Sequence, residues 1–530
     1  MFDGFVTVND GAIVDSTGHQ VLLRGVGLGN WLLPEGYMWR LSPGRESPRE
    51  IEALITELVG ATRARRFWDE YLDQFITRGD IQQIAAAGFN HVRLPINWRH
   101  VIDPDGTMRP QGLALIDRLI DWCTEQRLWV LLDLHGAPGG QTGTNIDDSN
   151  GRPELFMDPA NMDLTVALWR ELASRYRDNT TVLGYDLLNE PLPNEWQHTY
   201  PSELVDLYQR ITEAIREVDP NHLLMYEGTH WASNWDIFTD VWDPNSVLQF
   251  HRYWAPPDLP SIQHFIDVGA ELGLPIYMGE GGENNTDWLA TAFQLYEDHH
   301  VGWNFWPWKK IDTLTSPCSV VPPPGWSDII AFGNGETSAP SPKDAWSTLE
   351  ELINNMAFDK CDYHPEVINA LFRRAPLSIP ATGFGFRGPG ISYSTQSSTP
   401  LRGFRHNDSV TILQAGETTD QAPFFGHDDG RTRLADEKLT VLLQPGEWVT
   451  FDIEIPHPGN WTVVVVTDPD TTAPPIIGFD GTPLTVGDLG NGEWQAITDP
   501  DTAAGRHTIR IEASTGNLQL DRVNVRGDPS

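Results

Sequence analysis

Three cysteines in 530 residues are too few for a disulfide framework, and Cys123, Cys318 and Cys361 lack the paired spacing of a zinc site. Cys318 and Cys361 are free to pair if the protein is exported, and a reduced buried thiol is the alternative. Basic residues are scarce as well, with 36 Lys and Arg against 74 Asp and Glu, a net charge of −38. Such a surface repels phosphate backbones and anionic headgroups, which argues against nucleic-acid and membrane partners and favours solubility. No run of eighteen apolar residues occurs, and the opening MFDGFVTVND has neither the basic nor the apolar segment of an export signal. A soluble chain is expected, either cytoplasmic or secreted with its signal peptide absent from this sequence. No Gly-rich phosphate loop follows the first apolar run, which speaks against an open doubly wound sheet.

Tryptophan is plentiful, at 21 residues. Indole faces suit the C–H bonds of a pyranose ring, although many of these side chains will serve as core. Between residues 20 and 310 one pattern repeats, a short apolar run, a polar turn and a stretch of helical periodicity. The runs are VLLRGVGL (21–28), HVRLPI (91–96), WVLLDLH (129–135), VLGYDLL (182–188), HLLMYEG (222–228), VLQFHRY (247–253), PIYMGE (275–280) and WNFWPW (303–308). Amphipathic segments such as LALIDRLIDWCTEQR (113–127) lie between them. Eight continuous apolar strands alternating with helices predict a parallel sheet closed into a (β/α)₈ barrel, an α/β fold. The periodicity ends after 341–356 and 365–373. Residues 378–400 turn rich in Gly, Pro, Ser and Thr, and alternating stretches such as EWVTFDIEI (447–455) and NWTVVVVT (460–467) follow. The expected organisation is a barrel domain over 1–377, a linker over 378–400 and an all-β sandwich over 401–530.

Chemistry in such a barrel gathers at the C-terminal ends of the strands, where eight loops converge. Those ends carry Arg93, His135, Asn189 with Glu190, His251 with Tyr253, Glu280 and Trp306. Two glutamates ending separate apolar runs, at strands four and seven, suit a reaction that needs a proton donor and a carboxylate nucleophile. Retaining glycosidases hold such a pair about 5 Å apart.

The set VRLP (92–95), LLDLHG (131–136), LLNEP (187–191), HRYW (251–254), GEGG (279–282) and GWNFWPW (302–308) resembles glycoside hydrolase family 5, of the large clan of retaining (β/α)₈ glycosidases. The resemblance implies Glu190 as acid/base and Glu280 as nucleophile. It implies Asn189 on the sugar 2-hydroxyl, Arg93 and Tyr253 orienting Glu280, His135 and His251 lining the −1 subsite, and Trp306 stacking beneath the sugar. Neither metal nor cofactor is called for. RGVGLGNWLLPEGYM (24–38) and LDLHGAPGGQTGTNIDDSNG (132–151) are similar to segments of the exo-β-1,3-glucanase-like subgroup, which implies Glu35 and Asp148 gripping a terminal glucose. Trp231, in GTHWAS, is a candidate for an outer subsite.

The substrate so implied is a β-linked glucoside or oligosaccharide, attacked from its end. The alternatives are a diglycosidase that removes a disaccharide from an aglycone, an endo-acting glucanase or mannanase, and, in another class, a non-catalytic glycan-binding protein. The C-terminal region resembles carbohydrate-binding modules of the family 6 and 35 type, in which a residue at the position of Trp494 stacks on sugar. Gln519 stands where those modules have an Asn.

Overall fold

The computed structural model describes residues 2–42, 44–396, 399, 401–414, 422–431 and 438–527. Parts of the predicted linker (397–398 and 400) and of the predicted sandwich (415–421, 432–437 and 528–530) lie outside the described residues. The chain forms two compact units. One takes in Met1–Arg252, Phe265–Gly281 and Gly302–Tyr363, and the other Tyr253–His264, Gly282–Val301 and His364–Ser530.

The first unit is a closed eight-stranded parallel barrel. Its strands are β1 (Arg24–Gly27), β2 (His91–Asn97), β3 (Trp129–Gly136), β4 (Val182–Asp186), β5 (Leu223–Glu227), β6 (Ser246–His251), β7 (Ile276–Gly282) and β8 (Gly302–Trp306). The ring closes where β8 pairs with β1, Trp303 opposite Arg24 and Phe305 opposite Val26. All eight apolar runs became barrel strands, and β2, β4, β5 and β6 are buried along their whole length, as strands covered on both faces must be.

The bottom of the barrel is filled by Leu23, Leu131, Leu183, Leu223, Met225, Val247 and Tyr277, packed with Val6 and Ile13 of an N-terminal hairpin. Close approach explains the glycines of RGVGLG. A Cβ on Gly25 would lie 2.1 Å from the His91 ring, and Cβ atoms on Gly27 and Gly29 would lie 2.4 and 2.6 Å from the Trp306 indole. Gly27 and Gly29 therefore leave room for the Trp306 indole, and Gly25 for the His91 ring. The helices follow their local signals. Pro48–Val59 opens with a Ser47/Glu50 capping box, and Pro110–Gln126 has Pro at its first turn and turns Leu113, Ile116, Leu119, Ile120 and Cys123 inward. The segment after β8 forms a small sheet of Lys309–Ile311, Cys318–Val320 and Asp362–Tyr363. Cys318 and Cys361 are both free thiols.

The second unit contains two antiparallel sheets. The larger runs Thr411–Gln414, Leu439–Leu443, Leu518–Gly527, Trp461–Thr467, Glu493–Ile497 and Val486–Gly490, and Leu377–Pro380 adds to Leu518–Gly527. The other runs Tyr393–Ser394, Trp448–Ile455, Gly505–Glu512, Ile476–Phe479 and Thr482–Pro483. Residues 377–380 and 393–394, within or beside the stretch read as linker, thus supply sandwich strands. Helix Thr286–Asp298, which joins β7 to β8 in the chain, belongs to this unit, and Trp288–Tyr296 are buried without a break. Trp494 does not stand out as a platform for sugar. Its ring is buried and its Nε1–H donates to Thr467 Oγ1 at 3.3 Å.

Arg405 ties this unit together. Its buried guanidinium donates to the carbonyls of Thr382, Phe384 and Gly385 at 2.7–2.8 Å and to Asp408 at 2.6 Å, and lies over the rings of Phe384 and Phe386. Removing it leaves buried acceptors without donors. Arg405→Met is expected to destabilise the protein by about 3–5 kcal/mol, read from the urea midpoint at unchanged slope.

Candidate active site

Arg93 stands at the centre of the barrel with no exposed surface. Its Nε donates to Asp186 at 2.7 Å, its Nη2 to Asn189 Oδ1 at 2.9 Å and Glu227 Oε1 at 3.2 Å, and its Nη1 to Glu280, with Asp133 Oδ2 at 3.2 Å. One guanidinium thus organises groups from β3, β4, β5 and β7. The barrel makes this possible because strand ends far apart in sequence converge on one axis. The expected contact of Arg93 with Glu280 is present.

The two glutamates face one another across His251. One carboxylate oxygen each of Glu190 and Glu280, and a ring nitrogen of His251, all lie within 4.8 Å of one another. His251 Nδ1 is 2.7 Å from Glu190 Oε1 and 3.7 Å from Glu280 Oε2. Burial pulls the His251 pKa down, but Glu227, Glu280 and Glu190 outweigh it and hold the ring protonated, well above its usual range. Burial raises the Glu280 pKa above the ordinary glutamate value, and His251 and Arg93 oppose that rise. The three groups are close enough to chelate a cation. A protonated His251 has no lone pair to offer, however, and Arg93 already neutralises Glu280.

Asn189 is locked in one amide orientation. Its Oδ1 accepts from Arg93, and its Nδ2 is 3.3 Å from His135 Nε2. Burial lowers the His135 pKa to about 4, so the ring is neutral, with Nδ1–H donating to Asp133 at 2.7 Å and Nε2 accepting. Trp306 stacks on His135 at 5.3 Å between ring centres, 8° from parallel, and donates to the Tyr37 hydroxyl at 3.0 Å. Asn189, His135 and Trp306 thus form one wall. The backbone at Glu190 is left-handed (φ 45°), and so is Leu192 (φ 52°), a conformation unfavourable for side chains with a Cβ.

Glu35 is buried in the loop after β1. That loop is anchored by Asn30, itself left-handed at φ 68°, whose Oδ1 accepts from Trp39 Nε1 at 2.6 Å and from the Glu35 backbone N–H at 3.3 Å. Trp231 is half-buried in the turn after β5, between two other left-handed residues, His230 and Ala232. Tyr253 and Trp254 fall in the second unit, their rings 5.9 Å apart, with Trp254 43% exposed.

Asp148 is placed differently from its expected role. Its carboxylate lies 2.8 Å from Arg49 Nε and 2.7 Å from Arg99 Nε, and also accepts from the Arg49 backbone N–H at 3.2 Å. Both oxygens are occupied by protein, and Asp148 pins its loop instead of presenting a free carboxylate.

Asp133, Asp186, Glu227 and Gln249, all fully buried beneath the pair, went unread in the sequence. Gln249 Nε2 donates to Asp186 at 2.9 Å and also to Glu227. Gln141 joins two loops, its Nε2 donating to the carbonyls of His135 and Asn189 at 2.8 and 2.9 Å. Glu227 carried a usable signal, since it ends an apolar run as Glu190 and Glu280 do. Asp133 and Asp186 lie inside their runs, where only the inward-facing alternation marks them.

A (β/α)₈ barrel with two facing carboxyl groups at its C-terminal mouth defines the class as a glycoside hydrolase. Residues 57–312 match the family model Cellulase (glycosyl hydrolase family 5). The chain is 36% identical to a β-xylosidase of Phanerodontia chrysosporium over 349 residues, 58% of this chain and 71% of that one. It is 30% identical to a probable glucan 1,3-β-glucosidase A of Aspergillus fumigatus over 280 residues, 50% of this chain and 66% of that one. It is 34% identical to endoglucanase C of Acetivibrio thermocellus over 194 residues, 35% of this chain and 53% of that one. The chain belongs to glycosyl hydrolase family 5.

The carboxyl network makes stability depend on pH. Burial pushes Asp133 and Asp186 from the ordinary 3.8 up to about 8, against the pull of Arg93. Both bind their proton more tightly folded than unfolded, so the stability they contribute is complete below about pH 4 and is lost as pH rises through about 8. The melting temperature is expected to fall over that window, and Asp133→Asn with Asp186→Asn to flatten the fall; an equal slope in the double variant contradicts it.

Proposed function

We propose that this enzyme is a retaining, exo-acting β-glycosidase that removes a terminal β-glucosyl unit by double displacement. The observation that carries this reading is the approach of the Glu190 and Glu280 carboxylate oxygens to within 4.8 Å, the close spacing of a nucleophile and an acid/base rather than the wider gap that admits a water. Glu280, its charge balanced by Arg93, attacks the anomeric carbon while Glu190 gives its proton to the departing oxygen. The glycosyl-enzyme ester removes the negative charge from Glu280, and Glu190 then takes a proton from water. Asn189 Nδ2, fixed by Arg93, is the donor for the sugar 2-hydroxyl, and Trp306 is the platform beneath the ring. The buried Glu35 supports end-on binding, as a carboxylate that would accept from the hydroxyls of a terminal sugar. Substrates are therefore β-glucosides or β-glucan chain ends.

A second reading is a terminal β-xyloside, favoured by the extent of similarity to the β-xylosidase. The two sugars differ only in the C6 hydroxymethyl, so the choice rests on a small part of the −1 pocket. Aryl β-glucoside and β-xyloside assayed side by side decide between them, and early oligosaccharide ladders from a β-glucan would contradict exo action. The first product observed by proton NMR is expected as the β-anomer, and an initial α-anomer would overturn the retaining assignment. Glu280→Gln is expected to lower kcat by more than about a thousandfold while the protein stays folded.

A further inference from the structure

Glu227 has no part in the double displacement, yet its carboxylate meets four groups of the site. It ends β5, fully buried, and touches four partners. Its Oε2 accepts from the Glu190 backbone N–H at 2.7 Å. Its Oε1 lies 3.3 Å from His251 Nε2 and 3.2 Å from Arg93 Nη2, and accepts from Gln249 Nε2. The other face of the same imidazole, Nδ1, meets Glu190 Oε1 at 2.7 Å. Glu227 therefore reaches Glu190 by two routes, through the backbone and through the ring.

We infer that Glu227 is a positioning residue for the acid/base, acting by keeping His251 an imidazolium and by holding the left-handed backbone turn at Glu190. This rests on Glu190 and Glu280 having the roles proposed above. A carboxylate at Nε2 favours a proton there, and Nδ1–H is then committed as donor to Glu190 Oε1. With Oε1 held, Oε2 is the oxygen left to carry the catalytic proton. The backbone N–H bond does separate work, because a φ of 45° at a glutamate needs a fixed partner to persist. The groups facing the imidazole are Glu190 from the loop after β4, Glu227 from β5, Gln249 on its own strand and Glu280 from β7, with Asp133 and Arg93 acting from further away. Of these carboxyl groups Glu227 alone is neither a reacting group nor raised in pKa. Burial pushes its pKa up, but His251, Arg93 and the Glu190 N–H bring it below the ordinary value. Its surroundings thus favour the charged form.

Two measurements test this. Nitrogen NMR of histidine-labelled wild-type enzyme, with His251 assigned from the signal lost in His251→Gln, should show both ring nitrogens protonated at pH 7.5; a neutral ring overturns the proposal without Glu227→Gln having to fold. Glu227→Gln is expected to lower kcat by about tenfold or more with KM within about threefold, and to move the basic limb of the pH–rate profile down by about one unit. A variant that only loses melting temperature, with kcat and the basic limb as in wild type, also overturns it. Failure of the underlying reading looks different, since turnover would then survive in Glu280→Gln whatever the charge on His251.

Discussion

The buried guanidinium of Arg93 is the contact on which the rest of the site depends. It is wholly removed from water and faces Asp133, Asp186, Glu227 and Glu280. A lone buried cation would be untenable, and so would four buried carboxylates. Together they are tolerable only because the charges nearly cancel. With Arg93 and His251 positive, and Asp133 and Asp186 holding their protons, the negative charges left beneath the mouth are Glu227 and Glu280. On the mechanism proposed above, that near-neutrality lets Glu280 be ionised and still pass into an ester without leaving an uncompensated charge behind.

Position follows from the same contacts. Arg93 fixes the Asn189 amide, which meets a neutral His135, against which Trp306 stacks. Trp306 in turn lies where the glycines of β1 leave room for it. Under the proposed function, a sugar ring entering this mouth would meet a rigid aromatic face, a fixed amide donor and two carboxyl groups, none of which has to move for the chemistry to begin. Such preorganisation costs backbone strain at Glu190 and the turn after β5, a cost the interior of the barrel offsets.

Much of this was legible in the order of residues. Eight apolar runs separated by helical periodicity can bury both faces of a sheet only with helices around it, and the polar residue ending each run marks the mouth. Glu190, Glu280, Arg93, His135, Asn189, His251 and Trp306 are all marked in that way, and the barrel brings them together. The partners of Asp148 were not legible, because a motif does not reveal that Arg49 and Arg99 come to meet the carboxylate. The burial of Trp494 was not legible for a similar reason, since alternation does not say which face of a strand is solvent. Residues 378–380 read as linker, because the four-residue strand Leu377–Pro380 announces itself only through its partner, here Leu518–Gly527.

The local pattern alone therefore determined the barrel, the two glutamates and their order on the strands, because periodicity and strand ends are properties of neighbouring residues. Tertiary structure decided which charges share a space. Glu190 and Glu280 stand ninety residues apart in the chain, Glu227 and Gln249 come between them, and only closure of the sheet brings these side chains into contact. The protonation of His251 and of the buried carboxyls is set by that contact, since electrostatic energy depends on distance and burial and not on separation along the chain.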